Sequence, residues 1–310
     1  MIAVKTQGLS KEFRTGFTMK KVSALHNLNL EVEEGEIFGY IGPNGAGKTT
    51  TLKILTGLIY PTSGNAWILG RDIRDVAIKK DIGFLPEGPY FYDYLTAKEF
   101  LYFYGQLFGM RKREIEEKMD ELLNLVGLRH VKDIQLRRFS KGMLQRIGIA
   151  QALINDPKLL LLDEPMSGLD PIGRAKIKEI ILQLKEDGKT ILFSSHILSD
   201  VEMLCDRVGI LTNGKLTDVG SLDSLLIPEV KSIEIVTSHM EENTIEEIKT
   251  ITEKITLRDE KMLIMVDSEE NKERVLRIIN RNNGRLISLT PGRKTLEEYL
   301  VEKLNRGVAL

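Results

Sequence analysis

The chain has almost no cysteine and no long apolar stretch, and each shortage removes a class of answer. Cys205 stands alone among 310 residues, so no internal disulfide can form, and the usage suits a reducing compartment. No apolar run approaches the roughly 18 residues that a spanning helix needs, and no charged start is followed by an apolar segment of the secretory kind. The expectation is a chain that does not itself cross a membrane. Net charge is also missing: the balance is −1, which gives no electrostatic reason to expect nucleic acid or acidic lipid as the main partner. The length is sufficient for a full core plus a second small domain.

What the chain does have is a phosphate-binding loop. Gly42, Pro43, Asn44, Gly45, Ala46, Gly47, Lys48 and Thr49, followed by Thr50, match G-x-x-x-x-G-K-[ST]. Glu36 to Ile41 are mostly apolar or aromatic and predict a central strand, and Lys48 to Thr56 carry apolar residues at helical spacing. In that order, glycines let consecutive N–H groups turn inward around a polyphosphate, and the helix directs its positive end at the same charge. Lys48 is then within reach of the β- and γ-phosphates, and the Thr49 hydroxyl of Mg²⁺.

Leu159 to Leu162 predict a strand covered on both faces, ending in Asp163 and Glu164. Ligand-facing groups in such sheets collect at the carboxyl ends of strands. Asp163 is therefore the candidate to hold Mg²⁺ through its water shell, and Glu164 the candidate general base for an attacking water. Two further segments narrow the class. Ser140 predicts the N-cap of a helix whose first turn contains Gly142, a second anion site. After Ser167, Gly168, Leu169 and Asp170, Pro171 opens another helix, and a strand from Thr190 to Phe193 leads into Ser194, Ser195 and His196.

With these five motifs in order, the chain resembles the nucleotide-binding subunit of ATP-binding cassette transporters over residues 1 to about 220. GPNGAGKTT resembles the family's Walker A loop, FSKGMLQR its signature, LLLLDEP its Walker B strand, SGLD its D-loop and SSH its histidine switch. The resemblance implies an α/β phosphate-loop NTPase cassette: a mixed core sheet with flanking helices, an antiparallel N-terminal β subdomain and a helical signature subdomain. It implies ATP hydrolysis with ATP and Mg²⁺ as cofactors, and two cassettes paired head to tail as a homodimer or a heterodimer with a related ATPase. Ser140 and Gly142 of one copy would then contact the γ-phosphate held by the other. Asp170 would communicate between the sites, and His196 would position the γ-phosphate and the water.

The pattern is broken in three places. Lys141 and Met143 replace a glycine and a glutamine of the usual signature, which leaves Ser140 and Gly142 as the phosphate pair and puts a ribose contact from position 143 in doubt. Glu87 stands where the family places a Mg²⁺-touching glutamine; its oxygen suits Mg²⁺ but adds negative charge beside a polyanion. The aromatic that the resemblance leads one to expect against adenine is Phe13, with Phe17 competing, because the stretch from Arg14 to Ser23 is longer than the family commonly shows.

The segment from Phe84 to Phe108 holds more than half of the chain's Phe, Tyr and Trp residues. Thr96 and Glu99 predict a capping box that opens a helix there. Phe84, Phe100 and Phe103 are assigned to the core, while Tyr90, Phe91, Tyr92 and Tyr94 are expected to face a transmembrane permease subunit, which in the family docks just after this position. Nucleic acid is not expected. Near Pro228 a boundary separates the nucleotide-binding domain, 1–228, from a C-terminal accessory α/β domain, 229–310. In the latter, strands are predicted at Ser232–Thr237, Lys261–Val266 and Leu286–Leu289, with helices at Asn271–Asn282 and Thr295–Leu304. TLEEYLVEKL and IGFLPEGPYFYDYLT resemble the class that partners ABC-2 permeases. The resulting expectation is the ATPase subunit of an exporter, peripheral on the cytoplasmic face of the membrane through its permease. The alternative is a cassette ATPase acting on ribosomes or DNA, whose relatives usually carry two cassettes or a coiled-coil insertion that this sequence lacks.

Overall fold

The computed structural model describes residues 1–15, 20–89, 91–226, 232–238, 242–258, 261–292 and 295–300. These fall into two compact units, Met1–Leu222 and Asp223–Leu310.

The first unit opens with β1 (Ile2–Thr15), β2 (Lys20–Leu28) and β3 (Glu31–Glu33), then β4 (Ile37–Ile41) and α1 (Lys48–Leu55). β5 (Ser63–Ile68), β6 (Arg71–Asp72) and β7 (Ile82–Leu85) follow, then helices α2 (Ala97–Leu107), α3 (Lys112–Leu125) and α4 (Lys141–Ala152). The unit closes with β8 (Leu159–Asp163), α5 (Pro171–Glu186), β9 (Thr190–Ser195), α6 (Leu198–Leu204), β10 (Arg207–Thr212) and β11 (Lys215–Ser221). A short α7 (Leu222–Leu225) runs past the boundary between the units.

Two sheets result. An antiparallel one has the order β2-β1-β5-β6, with β3 also on β1; the central one has the order β11-β10-β4-β9-β8-β7. β4, β8 and β9 are buried at every position, as strands covered on both faces must be, and their sequences are mainly apolar until the polar Asp163, Ser194 and Ser195 at the carboxyl ends of β8 and β9. β10, β4, β9, β8 and β7 pair in parallel, and β11 closes the edge antiparallel. The register then places Ile41 beside Ser195, and Asp163 beside Ser194. Three sequence-distant loops are thereby brought to one end of the sheet.

The helical segment forms as its caps direct. Thr96 and Glu99 make the reciprocal capping box of α2, and Ser140 accepts from the Met143 N–H at 3.3 Å to open α4. α3 buries Ile115, Met119, Leu122 and Leu123, one face of a 3.6-residue period.

In the second unit, β12 (Ser232–Ser238), α8 (Glu242–Lys249), β13 (Ile255–Arg258), β14 (Lys261–Val266), α9 (Glu269–Arg281) and β15 (Arg285–Gly292) build a sheet of order β13-β14-β12-β15. Ile233, Ile235, Ile248, Ile264, Val275 and Ile279 form its core. α8 and β13 are additions to the predicted elements: both are short, and neither carries enough periodic apolar residues to stand out alone. Residues 296–300 are helical, whereas the rest of the helix predicted to Leu304, like Pro228, lies outside the described residues. Among the described residues no helix is long and apolar enough to cross a membrane.

Candidate nucleotide site

At the carboxyl end of β4 the chain turns sharply into α1. Gly47 has φ of 110°, and a Cβ there would lie 2.5 Å from the Ala24 carbonyl oxygen. Gly42 is crowded by the Leu211 carbonyl, 2.2 Å from where its Cβ would be. Both glycines are thus required by close backbone approach as well as by dihedral angle. The loop is also tied from outside, since the Gly214 N–H donates to the Ala46 carbonyl at 2.9 Å.

Lys48 folds back under this loop. Its ammonium donates to the carbonyls of Gly42 (2.7 Å) and Pro43 (3.3 Å) and lies 3.4 Å from Glu164 Oε1, with both side chains only 6% exposed. Glu164 has a positive φ of 50°, unusual for a residue with a long side chain. Its N–H donates to Ser194 Oγ at 2.9 Å, and the same hydroxyl donates to Asp163 Oδ1 at 2.6 Å. One serine therefore fixes both acids. Strain at a site over-determined in this way is a mark of functional geometry.

The second carboxylate oxygen of Glu164 lies 2.7 Å from His196 Nδ1. A carboxylate only accepts, so the proton of that contact sits on Nδ1 and Nε2 is the nitrogen left for a ligand. Asp163 is fully buried, and its Oδ2 has no hydrogen-bond partner among the described residues. An unpaired buried carboxylate oxygen is costly unless a cation or donor meets it, so the donor set fits a hard divalent ion such as Mg²⁺.

A cavity of about 240 Å³ is lined by Ala24, Asn44, Gly45, Gly47, Lys48, Thr49, Thr50, Glu87 and Glu164. A separate one of about 380 Å³ is lined by Ser140, Lys141, Gly142, Arg146, Gly168, Leu169, Asp170, Ile172, Gly173 and Lys176. Asp170 there caps α5, accepting from the Gly173 N–H at 2.6 Å. Lys141 bends over Gly168, with its Nζ 2.1 Å from where a Cβ at that glycine would be.

The remaining predicted residues are distributed unevenly. Phe13 is 37% exposed on β1, with Lys11 Nζ 5.1 Å above its ring, and it does not line the 240 Å³ cavity. Phe17 and Tyr90 lie outside the described residues. Tyr92 and Tyr94 are exposed, at 41% and 61%, whereas Phe91, also expected to face outward, is half-buried. Its ring packs edge-on against Phe100 at 5.4 Å and against the bare backbone of Gly148, where the missing side chain leaves room for it. Of the three rings assigned to the core, Phe100 is buried while Phe84 and Phe103 are half-buried. Ser194 was missed as a functional residue. Its signal was a small polar side chain ending an apolar strand, but its role depends on which strand lies alongside.

Fold and site together define a phosphate-loop nucleoside triphosphatase, with a second cavity lined by Ser140, Gly142 and Asp170 apart from the first. A family model described as ABC transporter matches residues 25–167. An uncharacterised ABC transporter ATP-binding protein of Synechocystis sp. is 46% identical over 309 residues, covering 98% of this chain and 86% of that one. The bacitracin transport ATP-binding protein BcrA of Bacillus licheniformis is 36% identical over 312 residues, 98% of either chain. Among solved structures, the dimeric post-hydrolysis state of the cassette MJ0796 bound to ADP and Pi matches with a TM-score of 0.65 and 30% identity, covering 71% of this chain and 98% of that one. The chain belongs to the ABC transporter ATP-binding proteins. It is an ATP-binding, ATP-hydrolysing subunit of an ABC transporter, of a kind that dimerises and works with a permease.

Proposed function

We propose that this subunit closes as a head-to-tail pair around two Mg·ATP and drives an ABC-2-class permease in the export direction from the cytoplasmic face. The observation that carries this is the separation of the two cavities: Lys48, Thr49 and Glu164 line one, while Ser140, Gly142 and Asp170 line the other. One copy thus offers each half of a phosphate shell in a different place, and a second copy supplies the missing half to each.

In this reading the loop from Gly42 to Thr50 and Lys48 cradle the triphosphate, and Phe13 takes the adenine. Thr49, Asp163 and Glu87 would hold Mg²⁺, which when bound neutralises phosphate charge and fixes the substrate's geometry. Glu164, held by Ser194 and His196, accepts the proton of the attacking water, while His196 meets the γ-phosphate through its free nitrogen. Tyr92 and Tyr94, exposed beside α2, face the permease. The second unit, 229–310 in the sequence division, is an accessory module; BcrA, a bacitracin transport protein, aligns over almost all of this chain, that unit included.

The test is affinity capture of the full chain from detergent-solubilised membranes. A polytopic membrane protein bound in Mg·ATP, and lost on replacing Tyr92 and Tyr94 with alanine, supports the reading. Recovery of ribosomes or DNA instead would reject it.

A further inference from the structure

Asp200 is fully buried in the first turn of α6, a place where an apolar residue would pack at least as well. Its Oδ1 accepts from Arg174 Nη2 at 2.7 Å and lies 2.8 Å from Lys178 Nζ, while Oδ2 is buried without a partner among the described residues. Both cations belong to α5 and are themselves mostly covered, at 29% and 18% exposure. The two helices already share apolar surface, with Ile177, Ile181, Val201 and Leu204 buried. Apolar contact is non-directional, whereas a charge-assisted hydrogen bond fixes a distance and an angle.

The position of this cluster is what gives it meaning. The Arg174 N–H donates to the Asp170 carbonyl at 3.0 Å, so the arginine stands one turn beyond the residue that caps α5. On the other side Asp200 lies four positions after His196, in the first turn of α6, and the backbone leading into that helix is held by the Ile197 N–H donating to Ser195 Oγ at 2.9 Å. The cluster thus clamps the start of the helix after Asp170 to the start of the helix after His196.

We propose that Asp200, with Arg174 and Lys178, is a positioning device that sets the register between the Asp170 loop and the His196 loop, and so the aim of His196 at Glu164. This rests on the reading of His196 and Glu164 as the hydrolytic pair. Misplacement of such a pair by about 1 Å is enough for a rate loss of about 100-fold.

Steady-state ATPase of the full chain tests it. Asp200→Asn is expected to lower kcat by about 10- to 100-fold with KM for ATP within about 2-fold. In a His196→Ala background the same substitution should add less than about a 2-fold loss, because the two act through one contact. An all-apolar replacement (Arg174→Met, Lys178→Met, Asp200→Leu) should melt near the wild type yet keep the kcat defect, separating aim from stability. If that variant does not fold, Arg174→Gln and Arg174→Lys replace it, the first expected to be slow and the second to recover most of kcat.

Wild-type kcat in the apolar variant or in Arg174→Gln, or fully multiplicative losses in the His196→Ala cycle, would overturn the proposal. His196→Ala slow while the cluster variants turn over normally removes the positioning role only. Turnover that survives His196→Ala removes the reading beneath it as well.

Discussion

Lys48 and Glu164 face each other at 3.4 Å in a nearly dry site, so the loop's cation and the strand's acid are one electrostatic unit although 116 positions separate them in sequence. Lys48 is further satisfied by two loop carbonyls, and Glu164 by His196. A change at either partner therefore acts on both the glycine loop and the acid that ends β8.

Glu164→Gln removes the proposed proton acceptor and at the same time frees Lys48 from a counter-charge. Turnover should fall by about 10²- to 10⁴-fold, while ATP affinity is unchanged or tighter and an ATP-stabilised dimer accumulates. Radiolabelled ATP binding and size-exclusion chromatography in Mg·ATP check both halves. Normal turnover in this variant would reassign the base.

Lys48→Ala should weaken nucleotide binding and also destabilise the first unit. The lost ammonium leaves Glu164 as a buried charge short of its partner, an effect of about 3 kcal/mol, softened where His196 takes up the contact. Denaturant unfolding without nucleotide reads that loss separately from the binding defect. An unfolding midpoint equal to wild type would mean that the ion pair adds nothing to stability.

Ser194→Ala tests the residue that ties the two acids together. Removing its hydroxyl leaves Asp163 Oδ1 and the Glu164 N–H without their buried partner, so stability should drop by about 1–3 kcal/mol. Turnover should drop further than ATP affinity does, since the acid that loses its anchor is the proposed base. Equal losses in both would point to general loosening of the site.

Gly39→Ala concerns packing alone. Gly39 lies in the middle of β4, and a Cβ there would sit 2.7 Å from Cys205 Sγ and 2.8 Å from Val201 Cγ1. Overpacking of this kind destabilises by about 1–3 kcal/mol. Adding Cys205→Ala should recover part of that loss, and thermal melts of the single and double variants measure it. Burial pushes the thiol of the half-buried Cys205 well above its ordinary range, so it should react with thiol reagents more slowly than a free cysteine.

The site was legible wherever its chemistry is local. The glycine loop, the acid pair after four leucines and the serine before α4 each announce themselves through residue type and spacing within about ten positions. Phe91 shows where local reading stops: from the loop before α2 its ring packs into the space that Gly148 of α4 leaves for it. Phe13 shows the same limit, because whether a strand residue reaches a cavity depends on how its sheet is placed. α8 and β13 were missed because short elements in a small mixed-charge domain carry too few apolar positions for a period to register.

By itself, then, the sequence determined the kind of ligand and the kind of chemistry, since a phosphate cradle is built from consecutive N–H groups and needs its glycines and lysine in one stretch. Only the tertiary structure decided who holds whom: Ser194 on Asp163, Lys48 on Glu164, Arg174 and Lys178 on Asp200. Those contacts depend on strand order, register and helix placement, which come from packing the whole core at once, and no window of neighbouring residues contains that information.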